Sequence, residues 1–310
     1  LNSIEKKISL TRALTTELGG ITSPVISSYQ LGRLVFEAYS KNSIGNANLR
    51  LKKNLPDRQQ YSTALRELLD AGVLSEVSGL SGNYFKLLGA PEVSADQIIC
   101  AIDPFCYISH LSAMAYHGIT DRLPRTVFVS SPPFAKWKEY ALELMKKDLG
   151  RHFTQYIQQG FPQLTRPRPK KISGKLIEFK NSSYLGAYKN VPGRTLRVAT
   201  IGRTFLDMIS DPDDCGGIQH VIDVYKGHAK QYQRLIIDEV DRHGNGIEKA
   251  RAGYLLEVQA GVTDRRLDEW QKTVQRGGSR KLDPSAEYSP FFSERWALSL
   301  NIPSISENAV

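Results

Sequence analysis

The sequence is short of several features that would settle its class at once. Its 310 residues include three cysteines, Cys100, Cys106 and Cys215, an odd number with no paired spacing. That excludes a disulfide scaffold and a paired-thiolate zinc motif, and it favours a reducing, cytoplasmic setting. No apolar run reaches the roughly 18 residues of a membrane span. The chain opens at Leu1 without a basic-then-apolar leader, so no signal peptide is expected. There is no Gly-x-Ser-x-Gly elbow, no cysteine in a nucleophile signature and no Walker-type loop. Gly216-Gly217 and Gly277-Gly278 read as turns rather than phosphate cradles. The six histidines give no closely spaced ligand pairs: His110 and His117 share a helical face, and His152, His220, His228 and His243 are scattered. Acid is scarcer than base. Asp and Glu number 32 against 41 Lys and Arg, a net charge of +9. This favours an anionic partner, with nucleic acid the first candidate.

What is present is organised around residues 56–88. Tyr61, Ala64, Leu65, Leu68 and Leu69 fall on one helical face, and Gln59, Ser62, Thr63, Arg66 and Asp70 on the other. Gly72 ends this helix. Residues 73–77 and 84–88 then read as strands around the turn-forming run 78–83. A helix followed by a hairpin is the second half of a winged helix-turn-helix, in which the helix enters the major groove and the hairpin touches the backbone.

Upstream, residues 1–19 form a helix closed by Gly19-Gly20, Ser27 or Ser28 caps a second helix through Tyr39, and Ala47 to Leu55 reads as a third, short helix. Gly89-Ala90-Pro91 marks a domain boundary. The expected domains are an N-terminal helix (1–24), a winged helix-turn-helix (25–90) and a mixed α/β domain (91–310). The fold class is α+β. In the third domain helices are expected at 94–102, 107–116, 137–149, 204–209, 218–225, 232–243 and 247–258. Strands are expected at 125–131, 176–179 and 196–200, with one near 296–302. Arg166–Lys175, with Pro167 and Pro169, is a stiff basic loop, and Arg276–Lys281 is a second basic cluster.

The candidate base-reading residues are Arg58, Gln59, Ser62, Thr63 and Arg66. Arginine can bond the guanine edge at two points, glutamine can do the same for adenine, and hydroxyls bond phosphates or bases. Arg50, Lys52, Lys53, Asn83 and Lys86 are candidates for holding phosphates. The alternative for all of these is an ordinary solvated surface. For the two basic clusters the choices are extra DNA contacts, an acidic protein partner or a solvated loop. One enzymatic pattern competes. Glu178 and Lys180 lie on the same side of a strand, as in metal-dependent nucleases, but the nearest aspartate in a strand-turn setting is the distant Asp103.

Two stretches, DPFCYISHLSAMAYHGITDRLPRTVFVSSP (103–132) and VATIGRTFLDMISDPDDCGGIQHVIDVY (198–225), resemble AbiEi-family antitoxins of type IV toxin–antitoxin systems. KARAGYLLE (249–257) and QRGGSRKLDP (275–284) are similar to longer members of that family. The resemblance implies a transcriptional repressor whose winged helix binds inverted repeats in its own promoter, two copies to a repeat. It also implies a C-terminal domain that counteracts an AbiEii-like nucleotidyltransferase toxin. No cofactor and no catalytic activity are implied, and a pure toxin-binding protein is the further alternative. From the matched motif, Arg203, Asp207 and Asp211 are candidates for antitoxin activity, with a salt-bridged structural role as the alternative.

Overall fold

A computed structural model describes residues 7–51, 53, 55–80, 82–274 and 280–303. Lys52 and, in the second basic cluster, Arg276 and Gly277-Gly278 lie outside the described residues.

The chain has a mixed α+β fold. It begins with α1 (Leu10–Gly19), β1 (Val25–Ser27) and α2 (Ser28–Lys41). Ser27 and Gln30 form a reciprocal capping box that starts α2 directly from β1. A two-strand turn follows, β2 (Ser43–Ile44) and β3 (Ala47–Asn48), and then α3 (Arg58–Asp70), opened by a second capping box between Asp57 and Gln60. The hairpin β4 (Leu74–Glu76) and β5 (Tyr84–Leu87) completes this part. β5 lies in the middle of an antiparallel sheet of order β1-β5-β4. Leu14 and Leu18 of α1, Leu31, Val35 and Phe36 of α2, and Tyr61, Ala64 and Leu68 of α3 share one core with Phe85 and Leu87.

This part differs from the sequence expectation in its third helix. None of the described residues of the helix expected over 47–55 is helical. Asn42 and Gly45 adopt left-handed backbone (φ 52° and 53°), which turns the chain back, and Ile8 then bonds to both Asn48 and Arg50 through the backbone. The three helices of this part are therefore α1, α2 and α3, so α1 contributes to the core rather than standing apart from it.

The next elements are α4 (Ala95–Ile102), β6 (Tyr107–Ile108), α5 (His110–Tyr116), β7 (Thr126–Ser131), α6 (Phe134–Leu149) and α7 (Phe153–Gln158). After them come β8 (Lys171–Ile172), β9 (Lys175–Asn181), β10 (Tyr188–Asn190) and β11 (Arg197–Ala199). The strands make a mixed sheet of order β10-β11-β6-β7-β9-β8, in which β11–β6 and β7–β9 are parallel. The single helix expected over 107–116 is thus a strand and a helix, separated where His110 takes a left-handed φ of 50°. Arg197 donates from its guanidinium to the carbonyls of Cys100, Asp103 and Cys106, closing the C-terminal end of α4.

The C-terminal part is helical: α8 (Ile201–Ser210), α9 (Ile218–His243), α10 (Gly246–Tyr254), continued by a π turn over Leu255–Gln259, and α11 (Arg265–Thr273). A small hairpin, β12 (Phe292–Ser293) and β13 (Leu298–Ser299), sets Trp296 into this core. The helices expected at 218–225 and 232–243 are one continuous α9.

The residue-90 boundary is crossed by packing. Met145 and Leu149 of α6, Tyr156 of α7 and Phe161 are buried in the α1–α3 core. Phe36, Tyr156 and Phe161 form an aromatic cluster, with ring centroids 5.4 Å apart for Phe36–Tyr156 and 5.0 Å for Tyr156–Phe161. Each such burial is worth about 1.5–3 kcal/mol. The close approach also requires Gly32, where a Cβ would sit 2.7 Å from the Tyr156 hydroxyl. In space, residues 145–164 therefore pack with the N-terminal helices, while Trp137 and Tyr140 at the start of α6 stay against Phe105.

Candidate functional site

Helix α3 turns Tyr61, Ala64 and Leu68 into the core, which leaves Arg58, Gln59, Ser62 and Arg66 exposed and Thr63 half-buried. The side chains of Arg58, Gln59 and Arg66 make no hydrogen bond or ion pair with another described residue. Asp57 accepts from the amides of Gln59 and Gln60 and pairs with Lys53 at 3.3 Å. Slight burial works against the Asp57 charge, but these donors outweigh it and hold the carboxyl below its ordinary range. The acid nearest the start of α3 is thus already engaged.

Two adjoining clefts flank this face. One, of about 650 Å³, lies between Arg58, Tyr61, Ser62 and Leu65 of α3, the hairpin residues Gly82–Tyr84, and the segment 160–165. The other, of about 400 Å³, lies between hairpin residues Gly79, Leu80, Asn83 and Tyr84 and the segment Thr165–Lys170. Asn83, Tyr84 and Thr165 line both, so the clefts form one groove. Neither has an Asp or Glu among its lining residues. The Tyr84 hydroxyl donates to the Thr165 carbonyl at 3.2 Å, tying the hairpin to the segment. Asn83 accepts from the Ser28 amide at 2.7 Å, which fixes the hairpin against the start of α2.

The other phosphate-holding candidates are placed differently. Lys86 alternates with the core-facing Phe85 and Leu87, and it lines a separate cleft with Glu76 and Glu92. It is not brought together with the exposed face of α3. Arg50 is exposed on the chain beside Ile8, and Lys53 is held by Asp57. The groove also contains residues that sequence patterning did not join to α3, namely the segment Gly160–Lys170. Its basic residues were visible, but its neighbours were not.

The antitoxin candidates fall in a second polar region, at α8. Arg203 Nε donates to Asp207 Oδ1 at 2.8 Å, and both are largely buried, with Glu239 at 3.9 Å from the same guanidinium. Asp211, just past α8, is 56% exposed and accepts from His110 Nε2 at 3.4 Å. The His110 hydrogen bond, helped by charge, holds the Asp211 carboxyl below its ordinary value. The chain continues inward: Ser130 Oγ donates to Ser109 Oγ, which lies 2.8 Å from His110 Nδ1. Glu178 and Lys180 are adjacent, but Lys180 pairs with Asp214 at 2.5 Å and stands 4.0 Å from Glu178. Asp103 lies elsewhere, fully buried and bonded to Trp137, so the structure does not bring it to Glu178 and Lys180 as a nuclease triad.

Among the described residues, no three or more His, Cys, Asp or Glu side chains gather as a metal site. His117 bonds the Ala199 carbonyl and His220 the Thr120 hydroxyl, each at 2.8 Å. Cys100, Cys106 and Cys215 are free thiols, all buried. Among the described residues, no helix is long and apolar enough to cross a membrane.

The structure is thus that of a mixed α+β protein with a carboxylate-free basic groove beside an exposed helix. No family model matches the sequence, and no curated protein sequence matches it. The fold is similar to the crystal structure of the RV2827C protein from Mycobacterium tuberculosis, with a TM-score of 0.50 and 12% identity over 99% of this chain and 97% of that one. At that identity the likeness is one of fold, and it extends over both the N-terminal and C-terminal parts.

Proposed function

We propose that the chain is a DNA-binding autorepressor and antitoxin of the AbiEi kind. Its N-terminal part would act as a winged helix-turn-helix, with α3 as the recognition helix and the β4–β5 hairpin as the wing. The element order α1-β1-α2-β2-β3-α3-β4-β5 and the sheet order β1-β5-β4 support this reading. The observation that carries it is the exposed set Arg58, Gln59, Ser62 and Arg66 on α3, beside a groove whose lining residues include no carboxylate. These side chains would read base edges, and the groove would follow the phosphates. One copy would occupy one half-site, so two copies would sit on an inverted repeat.

The antitoxin half rests on the resemblance of residues 103–132 and 198–225. Within it, Asp211 is the exposed candidate, whereas Arg203 and Asp207 form a largely buried pair whose geometry favours a structural role. In this reading residues 91–310 counteract a nucleotidyltransferase-like toxin and no reaction is catalysed. Binding to the operon's own promoter across a series of salt concentrations tests the DNA half. Affinity should fall steeply with salt, and Arg58→Ala or Arg66→Ala should each cost about 1–3 kcal/mol. Growth rescue on co-expression with the neighbouring toxin tests the other half.

A further inference from the structure

The parallel strands β6 and β11 each lead into a helix, α5 and α8, and α9 packs along α8. Between these helices and the β10–β11 edge lies a cavity of about 580 Å³. That volume is in the range of small-ligand pockets. The cavity shares no lining residue with the groove beside α3. From its lining we infer that it binds a small zwitterion with an apolar body, of the size and chemistry of a large apolar amino acid. The site stands apart from the DNA-binding and antitoxin readings and depends on neither.

Three features of the lining each match one part of such a ligand. The first is an apolar wall. Tyr116, Val191, Ile201, Tyr232 and Leu235 face the cavity, and Tyr116 and Leu235 are 48% and 50% exposed. This is apolar surface that a ligand body would remove from water. The second is a pair of free cations. Lys189 of β10 and Arg242 in the last turn of α9 both line the cavity and are exposed. Neither side chain makes a hydrogen bond or ion pair with another described residue. Together they offer charge-assisted bonds to a carboxylate. The third is an under-partnered carboxylate. Glu239 lines the cavity, and its Oε1 is buried without a hydrogen-bond partner. It stands 3.9 Å from Arg203, whose Nε is already held by Asp207. Burial pushes the Glu239 carboxyl up. An ammonium group supplies the donors and the charge that Glu239 lacks. The other lining acid, Asp238, is engaged by Arg266 at 2.5 Å. The groups left for a ligand are thus two cations and one carboxylate. A polyanion would meet Glu239 as a like charge, whereas a zwitterion satisfies both signs.

The walls are fixed before a ligand arrives. His117 Nε2 bonds the Ala199 carbonyl at 2.8 Å, which ties the end of α5 to β11. The Thr200 amide donates to the Ala187 carbonyl at 2.8 Å, which ties the start of α8 to the chain entering β10. A Cβ on Gly202 would strike the Leu235 carbonyl, so α8 and α9 are already in backbone contact at the edge of the cavity. A preformed site of this kind loses little free energy to ordering.

The test is isothermal titration of the full-length protein with L-tryptophan, 3-indolepropionate and tryptamine. The second ligand lacks the ammonium group and the third lacks the carboxylate. Four proteins are compared: wild type, Lys189→Ala/Arg242→Ala, Glu239→Gln, and Lys226→Ala/Lys230→Ala. The last removes the same charge from exposed positions on α9 outside the cavity. Circular dichroism and the thermal midpoint without ligand establish that all four are folded. Wild type should bind one L-tryptophan, and each analogue at least about tenfold more weakly. Lys189→Ala/Arg242→Ala should weaken L-tryptophan by at least about tenfold without weakening tryptamine. Glu239→Gln should remove the preference for L-tryptophan over 3-indolepropionate. The Lys226→Ala/Lys230→Ala protein should match wild type. If L-tryptophan, L-phenylalanine and L-leucine all fail to bind wild type at about 10 mM, the inference falls. It also falls if L-tryptophan binds Lys189→Ala/Arg242→Ala as it binds wild type, since the ligand then sits elsewhere. Equal binding of L-tryptophan and 3-indolepropionate by wild type would overturn the role given to Glu239 and the zwitterion with it.

Discussion

Gly79 and Lys171 meet backbone to backbone: a Cβ on Gly79 would lie 2.6 Å from the Lys171 carbonyl oxygen, and Gly79 itself has a φ of +85°. This joint seats the hairpin tip against the basic segment, so two stretches far apart in sequence present one surface. Gly79→Ala should impose both backbone strain and a clash with a carbonyl that β-pairing holds in place. We expect a loss of about 1–3 kcal/mol in urea unfolding and weaker promoter binding than stability alone explains. An unchanged denaturation midpoint would mean that the joint is loose.

Asp103 is fully buried and accepts three hydrogen bonds, from Trp137 Nε1 at 2.9 Å, the Phe105 amide at 3.0 Å and Ser131 Oγ at 3.2 Å. It fastens α6 to the end of β7, and α6 in turn packs on the N-terminal core. Asp103→Ala leaves a buried indole N–H without a partner and should cost about 3 kcal/mol. Asp103→Asn keeps an acceptor for Trp137 and should cost less. Equal losses in the two variants would contradict this assignment.

A Cβ on Gly253 would lie 2.1 Å from the Trp296 ring, whose Nε1 donates to Glu257 Oε2 at 2.9 Å. Gly253→Ala should therefore expel the indole from the C-terminal core, with a red-shifted tryptophan emission and a loss of at least about 1–3 kcal/mol. Promoter binding at a temperature well below the midpoint should be unaffected, since α3 and its groove lie in a different core.

The Asp211–His110 contact makes a pH-dependent contribution. The hydrogen bond from His110 holds the folded-state carboxyl below the ordinary aspartate value of about 3.9. Its stabilising contribution is thus complete above that value and lost as pH falls through the lower folded-state value. Asp211 is 56% exposed, so the contribution should stay below about 1 kcal/mol. The stability difference between wild type and Asp211→Asn should be constant above about pH 5 and shrink below about pH 4. A difference that grows in acid would reverse the sign of the argument.

Local pattern identified α3 and its hairpin because Tyr61, Ala64 and Leu68 repeat at helical spacing and Gly72 ends the run. It misread Ala47–Leu55, where the decisive interactions are long-range: the backbone bonds from Ile8 and the burial of Leu49 against Ala13 and Ala38. It divided α9, which tolerates Gly227 at a cost of about 1 kcal/mol because both halves are packed. It read Tyr107–Tyr116 as a single helix because nothing in the residue types announces a left-handed backbone at His110. The candidate site was legible only in part. The exposed residues of α3 follow from its periodicity. The proximity of residues 160–170 does not, because it depends on Met145, Tyr156 and Phe161 docking into a core formed by residues between Leu14 and Leu87. Lys86 is expected to hold phosphates from the hairpin, and strand alternation turns it to the other face.

The most direct test of the central claim is a fluorescence-anisotropy titration of the operon promoter with wild type and Arg66→Ala, each repeated on a duplex with the inverted repeat scrambled. The account expects wild type to prefer the promoter and Arg66→Ala to lose most of that preference while retaining salt-dependent binding to the scrambled duplex. Equal affinity of wild type for both duplexes, or a promoter preference untouched by Arg66→Ala, would contradict it.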